Sequence, residues 1–198
     1  DSSTPRWSYE TDDDVDAISS SADGEYIVAG GKDDKIYLFD KDSSNPLWSY
    51  DSGAVVTSVS ISADGEYIAI GSSDMVRLFD KDSSTPLWSY DTGTQDVNSV
   101  SISADGEYIV AGSQNDNVYL FDKDSSTPLW SYMTGGANSV SISVDGKYIG
   151  AASTDDKVYT FKNVLSSRPS IIPYGPRNGA EVENPVTLAW FAGSDDRS

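Results

Sequence analysis

The chain of 198 residues contains no histidine and no cysteine. Histidine is the usual general base near neutral pH, and the two residues together supply thiol nucleophiles, disulfides and most zinc and haem ligands. These kinds of catalytic and metal site are therefore excluded. Basic residues are also few, with 13 Lys and Arg against 32 Asp and Glu and a formal net charge of −19. Because nucleic acids and anionic membrane surfaces are bound by clustered basic side chains, neither is an expected partner.

Long hydrophobic runs are missing as well. No stretch of roughly 18 apolar residues occurs, so no membrane insertion is expected. Residues 1–5 lack the basic-then-apolar order of a signal peptide, and the chain begins inside a repeated phrase, as an excised or processed piece would. A hydrophobic fraction of 37% is nevertheless enough to bury a core. The composition predicts a folded, acidic protein with a binding, scaffolding or surface role.

Two phrases recur along the chain with a period of about 40 residues. Ala-Asp-Gly-Glu-Tyr-Ile begins at Ala22, Ala63 and Ala104, and a variant of it begins at Val144. Asp-Ser-Ser-Thr/Asn-Pro-Leu/Arg-Trp-Ser-Tyr begins near positions 1, 42, 82 and 124. The four units fill residues 1–163, and a Pro-rich connector with a different composition occupies residues 164–198.

Each unit contains four short apolar bursts separated by turn residues, which predicts four β-strands and leaves no window for a helix. In the third unit these bursts lie near residues 86–90, 97–103, 108–112 and 118–121. The Asp-Gly pair between the second and third bursts favours a tight hairpin turn. The burst at 118–121 is apolar on both faces, so its sheet is expected to be covered on both sides.

A four-stranded unit of this length and pattern is typical of one blade of a β-propeller. Residues 100–113 (VSISADGEYIVAGS) and 116–122 (DNVYLFD) resemble a WD-repeat blade, although the Gly-His pair of that family is absent and Phe39, Phe79, Phe121 and Phe161 replace its terminal Trp. Residues 120–132 also resemble the blades of pyrroloquinoline-quinone enzymes. A shared blade framework does not carry a cofactor with it, and none is expected here.

The order of the bursts leaves the ring size open. Residues 5–9 form an outer-type strand at the start of the chain, and the last unit ends after its third strand. The first strand could complete the last blade and close a ring of four. The alternatives are an open arc of a larger ring, or two such arcs closing a ring of eight. The predicted fold is thus an all-β propeller of four four-stranded blades plus a C-terminal extended strand segment.

Several repeated residues have a structural explanation that we favour over a functional one. Trp7, Trp48, Trp88 and Trp130 could stack on sugars, but a residue repeated in every blade is first of all framework. Asp33-Asp34 and Asp155-Asp156 could serve as a glycosidase carboxylate pair, yet they occupy a repeated turn position. If the ring closes, Asp12, Asp13 and Asp14 come near Asp155 and Asp156, and weak calcium binding by these carboxylates is the one metal expectation.

The four units diverge from one another in the connections expected on one face of the propeller, beside its channel. These loops are the predicted binding face for a protein or glycan ligand, with free drift of loop sequences as the alternative. Its residues are Glu10, Thr11, Lys32, Asp33, Val55, Gln95, Asp96, Gln114, Asn115, Met133 and Asp155.

The C-terminal segment resembles the opening of an immunoglobulin-like or fibronectin type III domain, over about 20 residues. Residues 186–191 alternate Val186, Leu188 and Trp190 on one face, with Phe191 on the other. A lone strand of this kind recruits another strand. We therefore expect it to be an assembly element and to support a homo-oligomer.

The leading functional expectation is a non-catalytic binding or scaffold module of a larger protein, at the cell surface or outside the cell, that mediates protein or glycan contacts or self-assembly. One alternative is an enzyme, as a carboxylate-only glycosidase or a fragment of a quinone-dependent dehydrogenase. Another is a cytoplasmic protein-interaction platform. The residues that break the repeat symmetry, Arg6, Arg77, Gln95 and Met133, are scattered along the chain, which favours the non-enzymatic expectation.

Overall fold

The computed structural model describes residues 3–167, which form fifteen β-strands and one short 3-10 turn, Val164–Ser167. None of the described residues belongs to a helix long and apolar enough to cross a membrane. The strands are β1 Val15–Ser20, β2 Tyr26–Gly31, β3 Lys35–Asp40, β4 Trp48–Asp51, β5 Val56–Ile61, β6 Tyr67–Ser72, β7 Met75–Asp80, β8 Trp88–Asp91, β9 Val97–Ile102, β10 Tyr108–Ser113, β11 Asn117–Asp122, β12 Trp130–Met133, β13 Ala137–Ile142, β14 Tyr148–Ser153 and β15 Val158–Lys162.

The strands form four antiparallel sheets, one for each repeat, and we call them blades 1 to 4. Blades 1, 2 and 3 have the strand orders β1-β2-β3-β4, β5-β6-β7-β8 and β9-β10-β11-β12, while the described part of blade 4 has β13-β14-β15. The second and third strands of each blade are joined by a turn of two to four residues at the variable positions. The first and second are joined by the Asp-Gly hairpin, whose glycines have φ between 66° and 77°. Only glycine adopts this backbone conformation without steric cost.

The cores lie between consecutive blades. One face of blade 2, including Val76 and Leu78, packs on the facing side of blade 3, including Val100 and Phe121. Equivalent clusters join blade 1 to blade 2 and blade 3 to blade 4. Because β7 and β11 contribute buried side chains to both faces, the prediction of two-sided burial is confirmed. Burying one such side chain fully stabilises the fold by roughly 1.5–3 kcal/mol.

The repeated tryptophans tie each outer strand to the following blade. Trp48 stacks on Phe79 with ring centroids 5.6 Å apart, and its indole N–H donates to the Lys81 carbonyl at 2.7 Å. Trp88 makes the same contacts with Phe121 and Lys123. Trp130 packs on Phe161 in a tilted arrangement, with ring centroids 5.1 Å apart. Each tryptophan thus packs on a phenylalanine of the following blade and remains partly exposed, which fits a framework role.

Within the described residues the four blades form an open arc, which is one of the alternatives that the sequence left open, and they do not close a ring of four. Residues 5–9, predicted to be an outer strand, form no strand and do not join blade 4, which has three strands among the described residues. Trp7 instead stacks on Phe39 of blade 1 at 5.3 Å. The physical reason is that the Trp of an outer strand packs on the blade that follows it along the chain, and for residues 5–9 that blade is blade 1. The immunoglobulin-like resemblance and the assembly residues Val186, Leu188, Trp190 and Phe191 lie outside the described residues.

Candidate functional site

The divergent connections lie at one edge of the sheets. In blade 1, Val15 pairs with Gly31 and Lys35 pairs with Asp51, so the loop before β1, the β2–β3 turn and the loop after β4 meet there. The other blades have equivalent registers. We call this edge the variable loop edge; it comprises residues 10–15, 32–34, 51–55, 73–74, 91–96, 114–116, 133–136 and 154–157. The Asp-Gly hairpins lie at the opposite edge.

Three residues predicted to bind a ligand are held by a tyrosine of their own blade. The Tyr37 hydroxyl donates to the Asp33 carboxylate at 2.7 Å, and the Tyr159 hydroxyl donates to the Asp155 carboxylate at 2.6 Å. In blade 3 the amide of Asn115 donates to the Tyr119 hydroxyl at 2.7 Å. These pairs fix the turn between the second and third strands, so Asp33, Asn115 and Asp155 first of all shape the loop edge.

The electrostatics of these pairs follow from their partners. Hydrogen bonds from Lys157 and Tyr159 hold the pKa of Asp155 well below its usual range. Burial, together with the hydrogen bond to Asp33, raises the pKa of Tyr37 far above that of a free tyrosine. Asp155 therefore stays ionised and Tyr37 stays protonated at neutral pH. Neither group is placed to exchange a proton in that range.

Blade 2 replaces this pairing with an arginine. Its β6–β7 turn is shorter, residues 73–74, and Arg77 stands where the other blades have tyrosine. The Arg77 guanidinium donates to the Ser72 hydroxyl at 2.9 Å and to the Ser52 carbonyl at 3.3 Å, and it lies 5.9 Å from the centre of the Tyr50 ring. Arg77 thus links the β6–β7 turn to the loop after β4.

The acidic run before β1 is paired with lysines. Asp12 accepts a hydrogen bond from Lys35 and Asp14 accepts one from Lys32, both at 2.7 Å. Each contact lowers the pKa of its carboxyl group. Within residues 3–167 no group of three or more acidic side chains is arranged to hold a metal ion. The sequence placed Asp12, Asp13 and Asp14 near Asp155 and Asp156 only if the ring closed, and the described arc is open. Weak calcium binding by these carboxylates stays a prediction.

The remaining predicted residues project from the variable loop edge in different ways. The Thr11 hydroxyl donates to the Asp13 carbonyl, and the Gln114 amide donates to Asn98 at 3.0 Å. Met133 is 72% exposed and Val55 is 37% exposed. Glu10, Gln95 and Asp96 are exposed as well. The accessible part of the predicted binding face therefore comprises Glu10, Lys32, Val55, Gln95, Asp96, Gln114 and Met133.

The variable loop edge is acidic. Its carboxylates outnumber its basic groups. The basic side chains nearby, Lys32, Lys35, Arg77 and Lys157, each donate a hydrogen bond to a group at this edge. The acidic residues at this edge are Glu10, Asp12, Asp13, Asp14, Asp33, Asp34, Asp51, Asp74, Asp91, Asp96, Asp116, Asp155 and Asp156. A surface of this charge attracts positively charged partners and repels acidic ones.

Sequence reasoning missed an apolar groove at the open end of blade 1. It forms a cavity of about 130 Å³ beside β1, lined chiefly by Trp7, Tyr9, Val15, Ile18 and Phe39. No pattern in the sequence indicates it, because in the other blades the equivalent positions are covered by a preceding blade.

The fold and the loop edge define a β-propeller repeat scaffold. Comparison with known families makes this specific: residues 1–164 match the PQQ_2 family, described as "Outer membrane protein assembly factor BamB". The match covers most of the chain, and the chain belongs to this family. The resemblance to quinoprotein-type blades is thereby confirmed at the level of the repeat. No curated protein matches the chain significantly.

Proposed function

We propose that this protein is a non-catalytic scaffold that binds other proteins through the variable loop edge. The observation that carries the proposal is the contrast between the two edges of the blades. The hairpin edge repeats nearly unchanged, whereas the loop edge differs in length, charge and apolar character from blade to blade. Because the loops differ from blade to blade, the edge as a whole presents a combination of side chains that is not repeated elsewhere on the molecule. A combination of this kind allows one particular partner to be recognised.

The loops at this edge are held in shape before any partner arrives. Each of the tyrosine pairs fixes a turn, and the hydroxyls of Ser52 and Thr92 bond to the carbonyls of Asp34 and Asp74 at 3.0 and 2.9 Å. Holding a loop in its bound conformation lowers the entropic cost of binding. Exposed Met133 and Val55 add apolar contact area, and methionine adapts to partners of different shape.

The charge of the edge indicates the chemistry of the partner. An interface opposite these carboxylates is favourable when it carries Lys and Arg, and complementary charge raises the association rate more than the final affinity. We therefore expect a basic protein surface as partner, with an association rate that falls as salt is added.

The family description supports a role in contacts between proteins. It names an assembly factor, a kind of protein that acts by contacting other proteins. Placement outside the cytoplasm, at the cell surface or in an extracytoplasmic space, is part of the same proposal, as is function without a cofactor. A glycan ligand has less support because the repeated tryptophans are packed between blades.

The proposal is tested by capture of partners from an extract of the source organism on three immobilised forms of the chain. The loop variant carries Val55→Ser, Gln95→Ala and Met133→Ser. The matched control carries Leu47→Ser and Leu87→Ser, which change exposed apolar residues at the hairpin edge. We expect a protein that binds the unmodified chain and the control but is lost from the loop variant. Equal capture by all three forms, or no bound protein, would contradict the proposal.

A further inference from the structure

Three loops of the variable loop edge lead from the outer strand of one blade to the next blade, and we call them the β4–β5, β8–β9 and β12–β13 loops. In the first two, the outer strand ends in an aspartate whose carboxylate accepts a hydrogen bond from the glycine amide two residues on. The distances are 2.9 Å for Asp51 and 2.7 Å for Asp91. Met133 stands at this position in the β12–β13 loop and has no oxygen to accept such a bond. The β12–β13 loop, residues 133–136, therefore lacks a contact that closes both of its counterparts.

The next residue of each loop carries a buried hydroxyl, and only in the β12–β13 loop is this hydroxyl unpaired. The Ser52 hydroxyl donates to the Asp34 carbonyl at 3.0 Å. The Thr92 hydroxyl donates to the Asp74 carbonyl at 2.9 Å. Thr134 is 3% exposed, and its Oγ1 has no hydrogen-bond partner within the part of the chain that the structure describes. A buried hydroxyl without a partner is less stable than the same hydroxyl in contact with water.

Blade 4 places a second unpaired oxygen at the same junction. In blade 1, Asp33 has both carboxylate oxygens hydrogen-bonded, one to the Lys35 amide at 3.1 Å and the other to a tyrosine. Asp155 is the equivalent residue of blade 4, and its Oδ2 accepts from a lysine and a tyrosine. Its Oδ1 is buried and has no donor among the described residues. Because this carboxylate is ionised, the unpaired oxygen is destabilising as long as water is kept away from it.

Two consecutive glycines hold the β12–β13 loop close to the β14–β15 turn, residues 154–157. Gly135 and Gly136 both have a φ of 87°. A Cβ added at Gly135 would lie 3.2 Å from the Asp155 Cβ, and one added at Gly136 would lie 2.8 Å from the Thr154 Oγ1. The missing side chains thus let the loop lie directly against the turn. Since glycine has more backbone conformations open to it than any other residue, the same pair also lets the loop move away.

The hydrogen bonds between this loop and blade 4 are made by two residues, Ser153 and Thr154. The Ser153 hydroxyl donates to the Thr134 carbonyl at 2.6 Å, and the Thr154 hydroxyl donates to the Gly135 carbonyl. The Thr154 amide donates to the Gly136 carbonyl at 3.0 Å. Thr154 is exposed. Water can therefore replace its two bonds when the loop leaves the turn, which limits the cost of opening.

We propose that the β12–β13 loop is a strap that opens away from the β14–β15 turn in the free protein, while the β4–β5 and β8–β9 loops stay closed. Opening brings water to the Thr134 hydroxyl and to the free oxygen of Asp155. It also moves Met133, which is 72% exposed. The variable loop edge thus has one adaptable apolar contact among fixed loops, a role that suits the flexible side chain of methionine. This use of the strap rests on the proposed function, whereas the opening itself does not.

The first test compares two equivalent backbone amides by hydrogen exchange, followed by NMR on the whole chain. The Gln114 amide donates to the last residue of the β8–β9 loop, the Asp96 carbonyl, at 2.9 Å. The Thr154 amide donates to the last residue of the β12–β13 loop in the same way, and both Gln114 and Thr154 are exposed. If both loops were equally fixed, the two amides would be equally protected. We expect Thr154 to exchange at least about 10-fold faster, after correction for the intrinsic rates of the two sequences.

The second test exchanges the closing contact between the two loops. Met133→Asp supplies a carboxylate that can accept from the Gly135 amide, so we expect exchange at Thr154 to slow at least about 5-fold. Asp91→Met is the matched reverse change, and it should speed exchange at Gln114 by a similar factor. In each variant the amide at the other loop should keep its rate, and circular dichroism should show unchanged folding.

A third variant acts from the side of blade 4. Asp155→Asn removes the charge from the unpaired oxygen and supplies an amide group. In blade 3, the amide of Asn115 donates to the Thr92 carbonyl at 2.6 Å. The new amide can donate to the Thr134 carbonyl in the same way. We therefore expect Asp155→Asn to slow exchange at Thr154, as Met133→Asp does.

Three outcomes would overturn the proposal. Equal exchange at Thr154 and Gln114 would mean that the β12–β13 loop is held as firmly as its counterpart. Equal exchange at Thr154 and at the amides of β14 would mean that blade 4 opens as a whole. Unchanged exchange at Thr154 in both Met133→Asp and Asp155→Asn would mean that the missing contacts do not cause the opening. None of these measurements involves a partner, so the strap and the binding role of the variable loop edge fail independently.

Discussion

Replacing Ser103 with alanine tests how the repeated hairpins are held. Ser103 is fully buried, and its hydroxyl donates to Asp105 at 2.6 Å while accepting from the Tyr108 amide at 3.0 Å. Ser143 makes the same two bonds in blade 4, at 2.7 and 2.9 Å, in an exposed setting. The two serines therefore differ in access to water and hardly at all in bonding.

The difference in burial sets the expected magnitudes. Ser103→Ala removes the hydroxyl acceptor of the Tyr108 amide and leaves no room for water to replace it, so we expect a loss of about 2 kcal/mol in the free energy of unfolding. Ser143→Ala lets water take over both bonds, and we expect a loss of about 0.5 kcal/mol.

Urea unfolding followed by tryptophan fluorescence measures both losses. We expect the midpoint to fall clearly for Ser103→Ala and only slightly for Ser143→Ala, with the slope of the transition unchanged in each. Equal losses in the two variants, or a larger loss for Ser143→Ala, would refute the reasoning, because burial would then not decide the value of the bond.

Further predictions concern pH, packing and salt. The hydroxyl of Ser143 and the ammonium of Lys147 lower the pKa of Asp145 to about 2, so its contribution to stability is present above pH 3.8 and is lost as pH falls towards 2; Asp145→Asn should flatten the melting temperature against pH in that window. Gly106→Ala should cost more stability than Gly24→Ala, since both glycines have positive φ but only an added Cβ at Gly106 meets Tyr67; urea midpoints compare the two variants. Added sodium chloride should raise the melting temperature in calorimetry, because screening the net charge of −19 outweighs weakened surface ion pairs.

The blade framework was predictable because its rules are local. An Asp-Gly pair favours a tight turn wherever it stands, and Gly24 and Gly106 adopt positive φ as expected. Residues that are apolar on both faces, such as Val118 and Tyr119, indicated a strand covered on both sides, and both are buried. Because the four units have similar sequences, the strands predicted for one blade could be predicted for the other blades as well.

The site and the ends of the arc depend on long-range contacts and were harder to predict. A signal for the tyrosine pairs was present, since Tyr37 follows Asp33 by four residues and Tyr159 follows Asp155 by the same spacing, while blade 2 lacks the pattern. The position of Trp7 left no comparable signal. Its place is decided by Phe39 and the Lys41 carbonyl, which are distant in sequence, and the curvature of the arc is decided by packing between whole sheets.

Hydrogen–deuterium exchange tests most directly whether the repeats fold as blades whose cores lie between consecutive sheets. In blades 2 and 3 the inner strands β6, β7, β10 and β11 are paired on both sides and largely buried, whereas the outer strands β8 and β12 are paired on one side. We predict slow exchange at residues 67–72, 75–80, 108–113 and 117–122, and faster exchange at residues 88–91 and 130–133. Rapid exchange in the inner strands, or equal exchange in inner and outer strands, would contradict the account.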